Sequence, residues 1–267
     1  MTSTSRLGPA HGHDGDDDSS LQTQMRLRRG TSAAQALSLV VSIGKGNLFY
    51  FPPTGRAETP QPSAGPHRKM DERTQRILMV AMELAERDGY DAVRLRDLAE
   101  QAGVALATVY RRFSCKEDIL AAALDLQVSQ MLEMMRDAEV PGGSGEARLQ
   151  WFFRAATDAL AARPKLSAAM LRTVASGVPE LAERVTRYHG RMIELILGVY
   201  RGHFKPEHPT EAERMLAVLL QDVWFGALVG WTGGMHPHET VIETVDTATR
   251  LLIAGIEVTH FPTESPR

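Results

Sequence analysis

Thr108, Tyr110, Arg111 and Lys116 bring two hydroxyls and two cations into one short stretch, and no acidic residue lies between Val104 and Lys116. Hydroxyl, guanidinium and ammonium groups are the ones that meet phosphate oxygens and base edges in nucleic acid. Ala105 and Ala107, either side of Leu106, are small enough to let a backbone approach a groove closely. Arg94 and Arg96 add positive charge upstream. The chemistry is that of docking on double-stranded DNA. Thr108, Tyr110 and Lys116 are expected on phosphates, Ala105, Leu106 and Arg111 toward bases, with Arg94 and Ala107 completing the contact set.

Two short helices must position these groups. Leu95, Leu98, Ala99 and Ala102 fall at i, i+3, i+4 and i+7, which predicts a helix from about Arg94 with one apolar stripe. Gly103 follows where that helix must stop, since glycine adopts the left-handed C-terminal conformation without a Cβ penalty. A second helix over Leu106 to Arg112 would bury Val109, with Phe113 one turn on, and turn Ala105, Ala107, Thr108, Tyr110 and Arg111 outward. Ser114 and Glu117 have the spacing of a capping box, which starts a third helix with Lys116 in its first turn. A helix N-terminus beside a lysine is suited to clamp a phosphate. The competing reading is a plain αα-hairpin in a bundle, with Leu95, Leu98, Val109 and Phe113 as ordinary core.

At Ala99, Ala102, Gly103, Ala107, Thr108, Val109, Tyr110, Phe113, Lys116 and Glu117 the chain resembles the TetR family of bacterial transcriptional regulators. It departs at Ala107, where the family often has glycine, and at Ala105 or Leu106, where the family's usual capping hydroxyl is missing. The resemblance implies an all-α protein: an N-terminal three-helix DNA-binding domain with a helix-turn-helix over residues 67–120, then a divergent helical ligand-binding and dimerisation domain over 121–260.

Composition fits a localised contact. The 267 residues carry a net charge of −3, with a pI near 6.3, which argues against a protein that coats nucleic acid and leaves room for a small basic patch. Cys115 is the only cysteine, so no intrachain disulfide forms and a reducing cytoplasm is the expected location. Beside Lys116 at a helix start its thiol could be activated, although an incidental loop cysteine is the simpler reading.

Residues 1–66 read differently. They combine Gly, Ser and Thr, the acids Asp14 and Asp16 to Asp18, the bases Arg26, Arg28 and Arg29, and a closing run of prolines from Pro52 to Pro66. This is the composition of a disordered extension. Its apolar piece, Ala33 to Ile43, is too short to span a bilayer, and a signal peptide there would export a DNA-binding domain. No membrane partner is expected. His11 and His13 lie near the aspartates but read as solvated tail, and synthesis starting at Met70 is an alternative. Residues 261–267 read as a tail.

From Asp71 onward the periodicity is helical. A helix with Ile77, Val80, Ala81 and Leu84 braces the reading pair, and the helix from Lys116 runs to about Ala138. Others follow over Trp151 to Ala162, Pro164 to Ser176, from Pro179 to Val199, and two more after Glu211. In the last two, Leu216, Leu220, Ala227, Gly230, Val245 and Leu252 are expected to make a homodimer; Gly226 and Gly230, four apart, would admit a close neighbour. In the TetR family the corresponding helices form a four-helix interface. The interior offers Met131, Met135, Met170, Met192, Tyr188, Trp224, Leu228 and Trp231 to a large apolar ligand, with Arg172 for an anionic or carbonyl end. Arg163, Arg184, Arg187 and His189 are further candidates for that end.

A narrower resemblance rests on Asp222, Val223 and Trp224 with Leu228 and Trp231, on Thr249 to Ile253, and on Arg163 and Pro164 with Leu166 and Met170. These are similar to the actinobacterial repressors of cholesterol and steroid catabolism. That likeness implies release from the operator by a sterol-derived acyl-CoA thioester or a similar bulky lipid metabolite. A drug-efflux type regulator, or a helical small-molecule-binding protein that no longer binds DNA, is the alternative. Enzyme motifs are absent, with no phosphate-cradling glycine loop, no His-Glu-x-x-His helix and no serine elbow. No cofactor or metal is expected; His203 with His208 and His236 with His238 read as turn residues.

Overall fold

The computed structural model describes residues 71–136 and 138–258. The extension expected over 1–66 and the tail expected over 261–267 lie outside the described residues. The first helix, α1 (Glu72–Asp88), starts because Asp71 accepts hydrogen bonds from the backbone of Arg73 and Thr74, both at 3.0 Å. Its Ile77, Leu78, Ala81, Met82, Leu84 and Ala85 are buried. A 3-10 turn over Tyr90–Ala92 leads to α2 (Leu95–Gln101), Gly103 takes φ 63°, and α3 (Leu106–Arg112) follows. Together with the start of α4 (Lys116–Met135) these helices close a core on Leu98, Val109, Phe113, Ile119 and Leu120.

The start of α4 differs from the expected capping box. Cys115 occupies the cap position without a side-chain bond, and the Asp118 carboxylate accepts instead from the Ser114 backbone at 3.0 Å. Glu117 is drawn away by the Tyr90 hydroxyl, which donates to it. A half-buried phenol needs a partner more than an exposed serine does.

Beyond α4 lie α5 (Gly145–Ala161), α6 (Pro164–Val174), a 3-10 turn (Pro179–Leu181), α7 (Ala182–Arg201), α8 (Glu211–Thr232) and α9 (His238–Val258). Every regular element among the described residues is a helix or a 3-10 turn, which gives the all-α architecture expected from the periodicity. The second core is built on Phe152, Phe153, Leu195, Leu220 and Val245. Trp224 packs 5.4 Å from Phe153, centroid to centroid, and donates its indole N–H to Thr157 Oγ1 at 3.0 Å. Each such buried ring contributes about 2–3 kcal/mol. Among the described residues α8 is the one helix long and apolar enough to cross a membrane. Its composition has another cause: one side is core and the opposite side is an apolar surface stripe.

Two helices belong to both cores. The first half of α4 packs in the N-terminal core and its Val128 and Met135 in the second. On α6, Leu166, Ala169 and Met170 join the N-terminal core while Leu171 joins the second. The N-terminal three-helix unit is therefore bolted to the rest by buried side chains rather than by a linker.

Candidate nucleic-acid interface and buried cavity

On α3, Ala105, Ala107, Tyr110 and Arg111 are exposed and Thr108 is half-buried. Tyr110 keeps 59% of its surface open, an unusual state for a large ring and one that suits contact with a partner. Leu106 is half-buried and packs on the N-terminal core, so only its edge is available. Arg112, in the last turn, points the other way. It pairs with Asp71 and with the Thr74 hydroxyl, which ties the end of α3 to the start of α1. The Asp71 carboxyl lies below its usual range, chiefly because the Thr74 backbone N–H bonds to it.

Lys116 is not a free cation. Its Nζ lies 3.9 Å from the Tyr90 ring centroid, 3.4 Å from the Tyr90 carbonyl and 3.6 Å from Asp91. The Asp91 side chain is 86% exposed, so that pair is weak and leaves Lys116 able to swing to a phosphate. Burial, reinforced by Glu117, pushes the Tyr90 hydroxyl up to about 12. Arg94 is exposed at the start of α2. Arg94, Ala105, Ala107, Thr108, Tyr110, Arg111 and Lys116 thus come from the start of α2, from α3 with its cap, and from the start of α4. That is the arrangement of a helix-turn-helix head whose second helix enters a major groove.

A cavity of about 170 Å³ lies between α4, α5, α6, α7 and α8. Of the residues expected to meet a ligand, Met131, Met170, Tyr188, Met192, Trp224 and Leu228 line it. Three do not. Met135, the last residue of α4, is 1% exposed and packs in the second core, while Met134 reaches the cavity wall. Trp231 lies almost one turn beyond Leu228, half-buried against the core. The Arg172 guanidinium sits over the Tyr90 ring at 4.1 Å, where it joins α6 to the N-terminal unit.

The cavity's polar groups are few. Burial pushes the Tyr188 hydroxyl up to about 12 and holds the His189 imidazole below its usual range, hence neutral near pH 7. Gln221 Nε2 meets His189 Nδ1, leaving Gln221 Oε1 buried without a hydrogen-bond partner. Arg163 also lines the cavity. Gln221 was missed by sequence reasoning, since a glutamine inside an apolar run gives no periodic signal. Arg184 and Arg187 are engaged elsewhere, Arg184 with Asp118 at 2.8 Å and Arg187 with Glu183 at 2.6 Å. A larger hollow of about 660 Å³ beside Arg136, Arg201, His203 and Lys205 has a more polar lining.

The outward faces of α8 and α9 also differ from expectation. Leu216, Leu220 and Val245 are at most 2% exposed in the second core, and Gly230 is filled by His236, whose Nε2 a Cβ there would meet at 2.5 Å. These four are core residues of the single chain. Ala227 and Leu252 are half-buried. The exposed stripe is Met215, Leu219, Gly226 and Val229 on α8, interrupted by the exposed Asp222, with Leu251 and Val258 on α9. Both sides of α8 are apolar, so its sequence did not reveal which side was core.

Residues 77–123 match the model for bacterial regulatory proteins of the tetR family, and residues 142–252 that for the tetracyclin repressor-like C-terminal domain. The chain is 30% identical to the HTH-type transcriptional repressor KstR of Mycolicibacterium smegmatis over 186 residues, 70% of this chain and 89% of that protein. It is also 30% identical to KstR of Mycobacterium tuberculosis over 182 residues, 68% of this chain and 81% of that one. Among solved structures, a TetR transcriptional regulator from Rhodococcus sp. RHA1 superposes with a TM-score of 0.61 at 26% identity, covering 69% of this chain and 96% of that one. Thermus thermophilus FadR in complex with lauroyl-CoA gives 0.54 at 19% identity, covering 72% and 100%, a likeness of fold alone.

Proposed function

The chain belongs to the TetR family of bacterial regulatory proteins, and from that premise we propose that it is a homodimeric repressor released from its operator by a bulky apolar metabolite of steroid or acyl-thioester type. The observation that carries this reading is the cavity. It is walled by methionine, leucine and aromatic side chains, and two of its walls, α4 and α6, also build the core of the DNA-binding unit. At about 170 Å³ it is smaller than the roughly 300–1,000 Å³ that encloses a drug-sized ligand. A sterol-sized guest therefore enters by moving the walls, and methionines yield at low cost. Whatever moves α4 and α6 moves the reading unit, so ligand and operator DNA compete through shared helices.

The relatives named KstR support a transcriptional repressor. The apolar wall favours a lipid over a cationic drug, because no carboxylate is among the described residues that line the cavity, whereas the guanidinium of Arg163 is. A thermal-shift series decides between them. Stabilisation by steroid or acyl-CoA ligands and not by lipophilic cations is expected, and the same ligands should release the protein from its own upstream DNA in a gel shift. Stabilisation by cationic drugs alone would overturn the reading in favour of an efflux regulator.

A further inference from the structure

Arg163, just before α6, is the one full charge among the described residues that line the cavity. Its side chain is 12% exposed, and its Nε and Nη1 are buried without a hydrogen-bond partner. Only Nη2 is engaged, by Glu86 in the last turn of α1. A buried guanidinium with two unfilled donors is a costly arrangement that a ligand acceptor relieves. The guanidinium grips a carboxylate with two parallel N–H bonds along either of two edges, Nε with Nη2 or Nη1 with Nη2. Both edges include the nitrogen that Glu86 holds.

Glu86 lies at one end of a rod. The other end of α1 carries Asp71 and Thr74, which hold Arg112 in the last turn of α3. Lys165 Nζ donates to the Arg87 carbonyl at 2.8 Å, so the cavity end of α1 is fixed to α6 by two cations. The helix of 17 residues spans about 25 Å at about 1.5 Å per residue.

We propose that the effector is an apolar carboxylic acid whose carboxylate displaces Glu86 from Arg163, and that this exchange of anions is the step that frees α1 and with it α3. The proposal rests on the reading of the chain as a ligand-released repressor and takes the free acid, rather than its thioester, as the effector. Ligand and Glu86 compete for one nitrogen, so tighter ligand binding and a looser α1 are the same event. No covalent change is involved.

The test uses the full chain with decanoate and a steroid 17-carboxylate, each beside its uncharged methyl ester. Dissociation constants come from calorimetry and release from upstream DNA comes from gel shifts. In the wild type each carboxylate should bind about tenfold or more tighter than its ester, the range of a charge-assisted pair. Arg163→Met should bring acid and ester together. Glu86→Gln leaves Arg163 in place and removes its competitor; it should tighten the acids several-fold, leave the esters unchanged, and weaken DNA binding without ligand. Esters matching acids in the wild type, or acids bound no tighter by Glu86→Gln, would falsify the exchange while leaving the repressor reading intact. Binding of none of the four probes would overturn the exchange, while the repressor reading stands or falls separately with the steroid and acyl-CoA series.

Discussion

Arg111 and Lys116 differ in what they are free to do. Arg111 is exposed on α3 with no ion pair among the described residues, whereas Lys116 divides its charge among the Tyr90 ring, the Tyr90 carbonyl and Asp91. Arg111→Ala should therefore remove about 1–3 kcal/mol of discrimination between operator and scrambled DNA. Its melting temperature should stay unchanged, since a surface change of this kind costs within about 0.5 kcal/mol. Lys116→Ala should weaken binding to every sequence and lower the salt slope by about one, and it should also loosen the Tyr90 turn. Gel-shift titrations over a salt series, beside thermal melts, separate the two. Unchanged binding in both variants would remove these roles from the residues. The hydroxyls and cations were legible in the sequence because their types and spacing are the signal. The reach of Arg112 back to Asp71 was not, since a contact across that many residues leaves no local trace.

The helices were legible wherever one face alone is apolar. Leu98 and Ala99 on α2 and Val109 on α3 are buried as their periodicity requires. What escaped are the pairings that fix one helix to the next, and the α7 to α8 corner shows the physics. Glu213, third residue of α8, accepts from Arg201 Nε at 2.9 Å and Nη2 at 2.8 Å and completes a capping box with Thr210. The Arg201 hydrogen bonds hold its carboxyl down at about 2 against an ordinary 4.5. A depressed carboxyl stabilises the fold above its unfolded pKa, and that contribution is lost as pH falls from about 4.5 toward about 2. Glu213→Gln should lower stability at pH 7 by about 1–2 kcal/mol after allowing for solvent screening, or about 2–8 °C in melting temperature. The gap between variant and wild type should close as the pH drops below about 4.5. A gap that stays constant as the pH falls all the way to about 2 would mean the charge contributes nothing at this corner.

For the whole molecule the decisive surface is the outward stripe of α8 and α9. Leu219 is 38% exposed, Val229 40% and Leu251 69%, while Leu220 beside the first is fully buried. Apolar surface concentrated on two adjacent helices calls for a covering partner. A second copy fits, because a two-fold axis through the stripe pairs α8 and α9 with their equivalents. Gly226 has nothing within 4 Å of where a Cβ would stand, so the partner's helix can come close there. One reading head on a half-site binds weakly, whereas two held together bind as if the second were at roughly millimolar concentration. Leu219→Arg with Leu251→Arg should therefore convert the protein to monomers in sedimentation at micromolar concentration, leave helical content intact, and lower operator affinity by about 100-fold or more. Leu220→Arg serves as the contrast. It places a charge in the core and should unfold the chain outright, so a folded monomer from the first pair and an unfolded chain from the second would assign the two sides of α8. A double variant that still sediments as a dimer would move the interface off this face, and operator affinity would then have to be sought from heads joined some other way.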